Sequence, residues 1–428
     1  MSRPPAILYM GDLVIVARQL AFITEARRRG LEPLLVITPD TDAATFAACR
    51  ADPAHPLSQL ADVVLVDDAT VEHVVPAIQP WLRRYDVRGV LCIGDFFVEP
   101  VGLVADILGL PGATAKTSRI CRNKLLQRTA APNLAPAFEV VPPAARGTVR
   151  PNTFRYPVVV KPVSLFSSLG VRQVHDPGGL ARELATYQPA RETLLVESRV
   201  VGPEFSVEAL AQGGEVFWAQ VTAKETNESS GVFFTEMGHT TPADLAPADQ
   251  QALLDANVEV IRRIGFQDGM THAEFRLAGD RAVLMEIACR LPGDGLTFLW
   301  HLATGAPLEP VLLDLALGVR TSYPEPRRRA VQVYLEHPHG RLRDVVSEGP
   351  PVSWVERDSR WPAFTPLPPD APPTAHAVLV TKVPGDVLGP QTDSTARSAS
   401  VIFDLPLDEP VEEHAKAFAA QVSVLVDA

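Results

Sequence analysis

The chain has 428 residues, 46% of them apolar, which is ample for a sizeable core and implies about two to four domains. A net charge of -12, with Lys and Arg spread instead of clustered, excludes a general nucleic-acid binder, and the expected partners are small molecules. No run of 18 or more apolar residues occurs, and Gly11 and Asp12 interrupt the apolar stretch of MSRPPAILYMGDLVIVA, so neither a membrane span nor a signal peptide is expected and the expected location is cytoplasmic.

Residues 6 to 112 alternate strand-like and helix-like runs: AILYM, a helix near ARQLAFITEARRRG, PLLVITPD, ADVVLVDD, a helix around VEHVVPAIQPWLRRY, GVLCIGD and VGLVADILGLPG. This βαβ patterning predicts a parallel sheet covered by helices. The first turn, Met10-Gly11-Asp12-Leu13, lacks GxGxxG, so a dinucleotide fingerprint is absent. A helical piece, SRICRNKLLQRTA, precedes strands around FEVV, YPVVVKP and GVRQV, which together have the size of a small α+β lid.

A larger α+β unit follows. Two hydrophobic runs flank Gln212-Gly213-Gly214, a hairpin signal, and after the helix ADQQALLDANVEVIRRIGF come the strand pair MTHAEFRLAG and RAVLMEIACR. Beyond about residue 310 the pattern gives a helix at PVLLDLALGV, strands at AVQVYLEH and HAVLVTKVPG, and a proline-rich loop, PAFTPLPPDAPPTA. The cysteines Cys49, Cys92, Cys121 and Cys289 lack CxxC spacing, so neither a zinc site nor a disulfide framework is indicated.

Six lysines stand against 33 arginines, so a retained lysine is a candidate for chemistry that a guanidinium cannot do. Lys161 ends the apolar run of YPVVVKP, where a buried ammonium must reach water, a carboxylate or an anionic ligand. The small-residue loop after it, Ser164 to Gly170, offers hydroxyls and N–H groups for phosphate oxygens; an ordinary turn beside a lysine snorkelling to water is the plainer alternative. Glu274 and Glu286 are each the only acid in their own hydrophobic run, and they are symmetric about position 280. An odd-membered hairpin loop would place them opposite each other on one face, whereas a two-residue turn on Gly279-Asp280 would separate them; the odd loop is the expectation. Two close inward carboxylates call for a shared proton or a divalent cation, and hard oxygen ligands suit Mg²⁺. Glu197 and Glu204 flank a Val-Gly-Pro turn that could meet an adenine edge and ribose hydroxyls. Arg290, four residues after Glu286, could hold an acyl or phosphoryl oxygen. Glu236 and His239 form an acid and histidine cluster on a loop-like segment.

The order of these motifs, NKLLQR, VVVKP with its loop, LLVE with VGPEFSVE, then HAEF and LMEIACRLPG, resembles the ATP-grasp superfamily of carboxylate-amine ligases over about residues 6 to 305. The resemblance implies a multidomain α/β and α+β protein. Its parts would be an N-terminal parallel-sheet pre-ATP-grasp domain (1–115), a small lid (116–190), a large domain with the metal site (191–310) and a C-terminal α+β domain (311–428). It implies that Lys124 and Lys161 reach the ATP phosphates beneath a loop containing Ser167, Ser168 and Gly170. Glu197 and Val200 would form the adenine-reading hinge, Glu204 would bind ribose, and Glu274 and Glu286 would bind Mg²⁺, as two ions, with Mn²⁺ as a substitute. Arg290 would steady the acyl phosphate.

Ala288 stands where many members have asparagine, and Asn123 stands where aspartate is usual. The E-x-x-x-R variant, with Gly293 three residues after Arg290, is similar to the L-amino-acid ligase branch, in which an E-x-x-H pair matching Glu236 and His239 helps bind the substrate amino acid. The implied reaction joins an amino-acid carboxylate to the amine of a second amino acid through an acyl phosphate, releasing ADP and phosphate. Other readings are a ligase using a side-chain carboxylate or a different amine, a silent nucleotide binder, and a dehydrogenase on the N-terminal unit, against which the missing GxGxxG counts. The C-terminal hundred residues would complete the substrate pocket or form a homodimer interface.

Overall fold

The computed structural model describes residues 3–11, 18–39, 43–230 and 233–427; Asp12 and Leu13 of the first turn lie outside them. The chain begins with β1 (Pro5–Met10), α1 (Ala21–Arg28), β2 (Glu32–Ile37), α2 (Ala43–Ala51), β3 (Asp62–Leu65), α3 (Val71–Arg84), β4 (Asp86–Cys92) and α4 (Val98–Leu108). The four strands form a parallel sheet in the order β3-β2-β1-β4. β1 and β2 are buried along nearly their whole length, as continuous apolar runs require when both faces are covered.

Gly109, at φ +65, ends α4 in the left-handed conformation that suits glycine. The helical piece expected next is two helices, α5 (Ala115–Cys121) and α6 (Lys124–Ala130). The break has a cause: the Asn123 side chain accepts a hydrogen bond from the Leu126 N–H at 3.0 Å and caps α6.

A small antiparallel sheet follows, from β5 (Phe138–Val141), β6 (Val158–Pro162), β7 (Arg172–Val174) and β8 (Leu194–Ser198), with α7 (Pro177–Thr186) packed on it. Its order is β5-β8-β6-β7. The boundary expected at 190/191 therefore cuts through this sheet, because β8 pairs with both β5 and β6.

Next come β9 (Glu204–Gln212), β10 (Glu215–Thr226), β11 (Glu236–Thr241), α8 (Pro247–Ile264), β12 (Gly269–Ala278) and β13 (Arg281–Ala288). Gly213 and Gly214, at φ +61 and +81, close the β9–β10 hairpin in two residues, as their sequence demands. The remaining elements are α9 (Leu296–Thr304), α10 (Glu309–Ala316), β14 (Arg329–Tyr334), β15 (Gly340–Ser347), β16 (Val352–Trp354), β17 (Thr374–Val380), β18 (Val387–Leu388), β19 (Ala399–Leu405), α11 (Val411–Ala419) and β20 (Val422–Asp427). Among the described residues, no helix is long and apolar enough to cross a membrane.

Nine strands make one large sheet, ordered β13-β12-β9-β10-β11-β14-β19-β17-β16, while β18-β15-β20 form a third small sheet. The C-terminal strands thus extend the large sheet across the boundary expected at 310/311. Pairing of β11 with β14 and of β14 with β19 makes that connection.

Candidate active site

A cavity of about 130 Å³ opens between the small sheet and the large one. Residues 199–203 join the two sheets at one side of it, and Gly202 leaves room there for the close approach of the Leu277 carbonyl. Of the residues singled out by sequence, Lys124, Lys161, Ser167, Ser168, Glu197, Val200, Glu204, Glu236, Glu274, Glu286 and Arg290 line this cavity. Gly170, His239 and Gly293 do not. The Gly170 carbonyl accepts from the Tyr187 hydroxyl at 3.0 Å, Gly293 sits in the turn before α9, and His239 is buried behind Glu236.

The ammonium at the end of β6 has a partner. Lys161 Nζ lies 2.7 Å from Glu197 Oε2 on β8, and Arg128 from α6 donates through Nε to Glu197 Oε1 at 2.7 Å. Burial and the neighbouring Arg128 pull the Lys161 ammonium down, and Glu197 opposes them, leaving it at about 8. The two cations in turn outweigh burial at Glu197 and hold its carboxyl below the usual range. Glu197 therefore has a side-chain task beyond the main-chain hinge role expected of it.

Lys124 Nζ lies 3.0 Å from Glu286 Oε2 and donates to the Leu165 carbonyl of the small-residue loop at 2.5 Å. In that loop Ser167 and Ser168 adopt φ +55 and +58, each at a cost of about 1–2 kcal/mol for a residue with a side chain. Ser168 Oγ donates across to the Phe234 carbonyl at 3.3 Å. The loop is thus tied to both walls of the cavity.

On the large sheet, Glu274 and Glu286 are directly opposite each other, but not for the reason expected. Ala278 pairs with Arg281, so the turn is the two-residue one on Gly279-Asp280, with Gly279 at φ +69. That turn alone would put the glutamates on opposite faces. A β-bulge at Met285 adds the extra residue that brings them back together, and the odd loop is corrected accordingly. The Met285 carbonyl accepts from Arg128 Nη2 at 2.8 Å and from Lys161 Nζ at 3.4 Å.

The segment carrying Glu236 and His239 is also not a loop. It is β11, paired with β10 and β14, and a second bulge, at Met237, brings the two residues to one side. His239 Nε2 lies 3.7 Å from Glu236 Oε2 and 2.8 Å from Asp294 Oδ2.

Lys224, which the sequence reading passed over, is at the centre of the acidic wall. In register on β10 it stands between Glu204 on β9 and His239 on β11. Its Nζ lies 2.6 Å from Glu274 Oε1, 3.5 Å from Glu204 Oε1, and in contact with Glu236. Burial disfavours its charge, but the three carboxylates outweigh burial and raise it well above the ordinary lysine value. The scarcity of lysine that drew attention to Lys161 applied equally to Lys224.

His272, also unremarked, bridges Glu208 Oε1 at 2.7 Å and Glu274 Oε1 at 3.2 Å. Burial lowers its imidazole, and those two hydrogen bonds overcome burial, leaving it at about 9. Arg290 Nη2 pairs with Asp95 Oδ2 of the N-terminal unit at 2.5 Å, while its Nε has no hydrogen-bond partner among the described residues. Burial penalises the Asp95 carboxylate, yet Arg290 holds it below the usual range.

The facing carboxylates of Glu274 and Glu286 are hard oxygen donors on one wall of the cavity, a set that fits a cation such as Mg²⁺. Their charges are met in this structure by Lys224 and His272 and by Lys124. Ala288, in place of the asparagine of the resemblance, adds no donor and sits opposite His272.

Residues 154–297 match the family described as ATP-grasp domain. An uncharacterised protein of Sinorhizobium fredii is 26% identical over 314 residues, 70% of this chain and 61% of that protein. The alanine–anticapsin ligase of Bacillus subtilis is 23% identical over 291 residues, 60% of each. The matched stretch thus spans about 60% of the length of these two relatives. The crystal structure of an L-amino acid ligase from Bacillus licheniformis superposes with a TM-score of 0.77 over 100% of both chains, at 19% identity, a likeness of fold. Residues 154–297, which carry Lys161, the strap at 199–203 and the paired glutamates, match an ATP-grasp domain, and the chain as a whole has the fold of that L-amino acid ligase structure.

Proposed function

We propose that the protein is an ATP-dependent carboxylate-amine ligase that joins an amino-acid carboxylate to the amine of a second amino acid, releasing ADP and phosphate. The observation that carries this reading is a single cavity in which Lys124, Lys161 and the serine loop face the paired carboxylates of Glu274 and Glu286, with Arg290 on the same lining.

The residues divide the work by charge. Lys161 and Lys124 attract the phosphates of ATP, and Ser167 and Ser168 supply hydroxyl and main-chain donors above them. The main chain around Val200 receives the base, and Glu204 the ribose. Lys224 sits within reach of the same wall and offsets charge that builds up as the phosphoryl group moves. Glu274 and Glu286 would hold Mg²⁺ or Mn²⁺, which when bound offsets phosphate charge and aligns the transferring group.

In the first step the substrate carboxylate oxygen attacks the γ-phosphorus, the bond to the β-phosphate oxygen breaks, and ADP leaves. In the second, the amine nitrogen attacks the acyl carbon, phosphate departs, and the ammonium proton passes to a nearby base. Arg290, held rigid by Asp95, stabilises the acyl oxygen as charge develops. Glu236, backed by the buried His239, presents the amine. Closure of the small sheet over the site keeps water from the acyl phosphate.

The test is ADP release with Mg-ATP against single amino acids and pairs, with amide product followed by mass spectrometry. Release that depends on a pair and disappears in Glu286→Ala and Arg290→Ala supports the reading. ATP binding with no release from any pair removes it and leaves a different acceptor or a silent binder.

A further inference from the structure

Behind Glu236 lies a cluster assembled from three distant parts of the chain. Asp294, in the turn between Arg290 and α9, adopts φ +53 between two glycines, a conformation that costs an aspartate about 1–2 kcal/mol. Its Oδ2 lies 2.8 Å from His239 Nε2.

Asp294 is also paired with Arg397, from the segment just before β19. Arg397 Nη2 donates to Asp294 Oδ1 at 2.6 Å and Nη1 to Asp294 Oδ2 at 3.1 Å, the forked geometry that lysine cannot reproduce. Nη1 also donates to the Glu236 carbonyl at 3.0 Å and Nε to the Ser394 carbonyl at 3.0 Å. The guanidinium carbon lies 3.8 Å from the centroid of the Tyr334 ring on β14, which fixes its plane. Arg397 is buried, and every one of its nitrogens is engaged.

Arg18 donates to the Asp294 carbonyl at 2.5 Å, so the same turn is held from the N-terminal side as well. The turn from Arg290 to Asp294 is therefore pinned at both ends, by Asp95 at one and by Arg397 at the other.

We propose that Arg397 is a positioning residue for amine presentation: through Asp294 and the Glu236 main chain, the C-terminal segment clamps Glu236, and His239 behind it, in place at the amine-binding wall. The inference rests on the ligase reading above. It gives the C-terminal strands a task in the site, since β14 and β19 extend the large sheet far enough to deliver Tyr334 and Arg397 to it. Arg397 does not itself touch substrate.

The experiment compares wild type with Arg397→Lys, which keeps the charge and loses the fork, and with Asp294→Asn, which tolerates positive φ and loses the carboxylate. Steady-state KM for ATP, for the carboxylate donor and for the amine acceptor is measured separately, together with the ratio of ADP released to amide formed. Expected are a rise of about tenfold or more in acceptor KM, an ATP KM within about twofold of wild type, and excess ADP over amide as the acyl phosphate is lost to water. Unfolding midpoints accompany the kinetics. Variants that keep the wild-type acceptor KM and ADP-to-amide ratio, or whose three KM values move together with a falling midpoint, overturn the clamp while the ligase reading stands. A wild type that makes no amide from any pair removes both.

Discussion

Replacing Glu197 with glutamine should move the alkaline limb of nucleotide use toward acid. Lys161 attracts phosphate only as an ammonium, and in the protein without nucleotide it loses its proton at about 8. Wild-type kcat/KM for ATP, which reports the free enzyme, should be level below that pH and fall about tenfold per pH unit above it. The carboxylate that opposes deprotonation is 2.7 Å away. A unit ion pair at 4 Å in an effective dielectric of about 20 is worth about 4 kcal/mol, and 1.36 kcal/mol corresponds to one pH unit, roughly. Because the cavity is open to water and Arg128 partly offsets Glu197, we take about half of that, a displacement of about one to two pH units toward acid. Glu197→Gln should therefore lose about tenfold or more in kcat/KM for ATP at pH near 8 and approach wild type near pH 6. Lys161→Arg should show no limb in this range, because a guanidinium stays charged. The assay is coupled ADP release at saturating amino acids across that range. A Glu197→Gln limb that coincides with the wild-type limb, or lies to its alkaline side, would refute the electrostatic account of this pair.

Two further outcomes follow from the acidic wall and from Arg290. Lys224→Met leaves Glu204, Glu236 and Glu274 without their shared cation, and removing one partner of a buried ion pair costs about 3–5 kcal/mol, so the unfolding midpoint should drop sharply at neutral pH. Burial opposes the Glu274 carboxylate, but Lys224 helps to hold its carboxyl well below the ordinary value, so the stability this pair contributes is present above the ordinary carboxylate value and is lost as pH falls through the folded-state value. The deficit should shrink on acidification, and a deficit independent of pH would argue against charge as its cause. Asp95→Asn releases Arg290 from its ion pair without touching the phosphate wall; kcat should fall about tenfold or more while the dissociation constant for ATP, measured by calorimetry, stays within about twofold, and an equal loss in both would place Asp95 in nucleotide binding instead.

Much of the local structure was legible from residue order. The βαβ alternation of residues 6 to 112 gave the parallel sheet, because apolar strands covered on both faces leave no other arrangement. Gly213-Gly214 gave a two-residue turn, because both positions need positive φ. Lys161 ending an apolar strand, and a single acid within each of β12 and β13, were visible as costs that a fold accepts only with a partner. What alternation could not reveal is where a strand gains an extra residue. The bulge at Met285 reversed the consequence of the Gly279-Asp280 turn, and the bulge at Met237 brought Glu236 and His239 to one side. Each depends on the neighbouring strands, which no local pattern records.

By itself, then, the sequence determined the kinds of element, the turns whose backbone angles only certain residues adopt, and the charges that had to find partners. Tertiary structure decided which partners those were. It inserted β8 between β5 and β6, carried the large sheet past residue 310 through β14 and β19, and gathered Lys224 among three glutamates and Arg397 onto Asp294. The physical reason is range: propensity and periodicity act over a few residues, whereas strand pairing and the neutralisation of buried charge are settled between separate segments, 103 residues apart for Asp294 and Arg397, where the cost of an unpaired ion selects the arrangement.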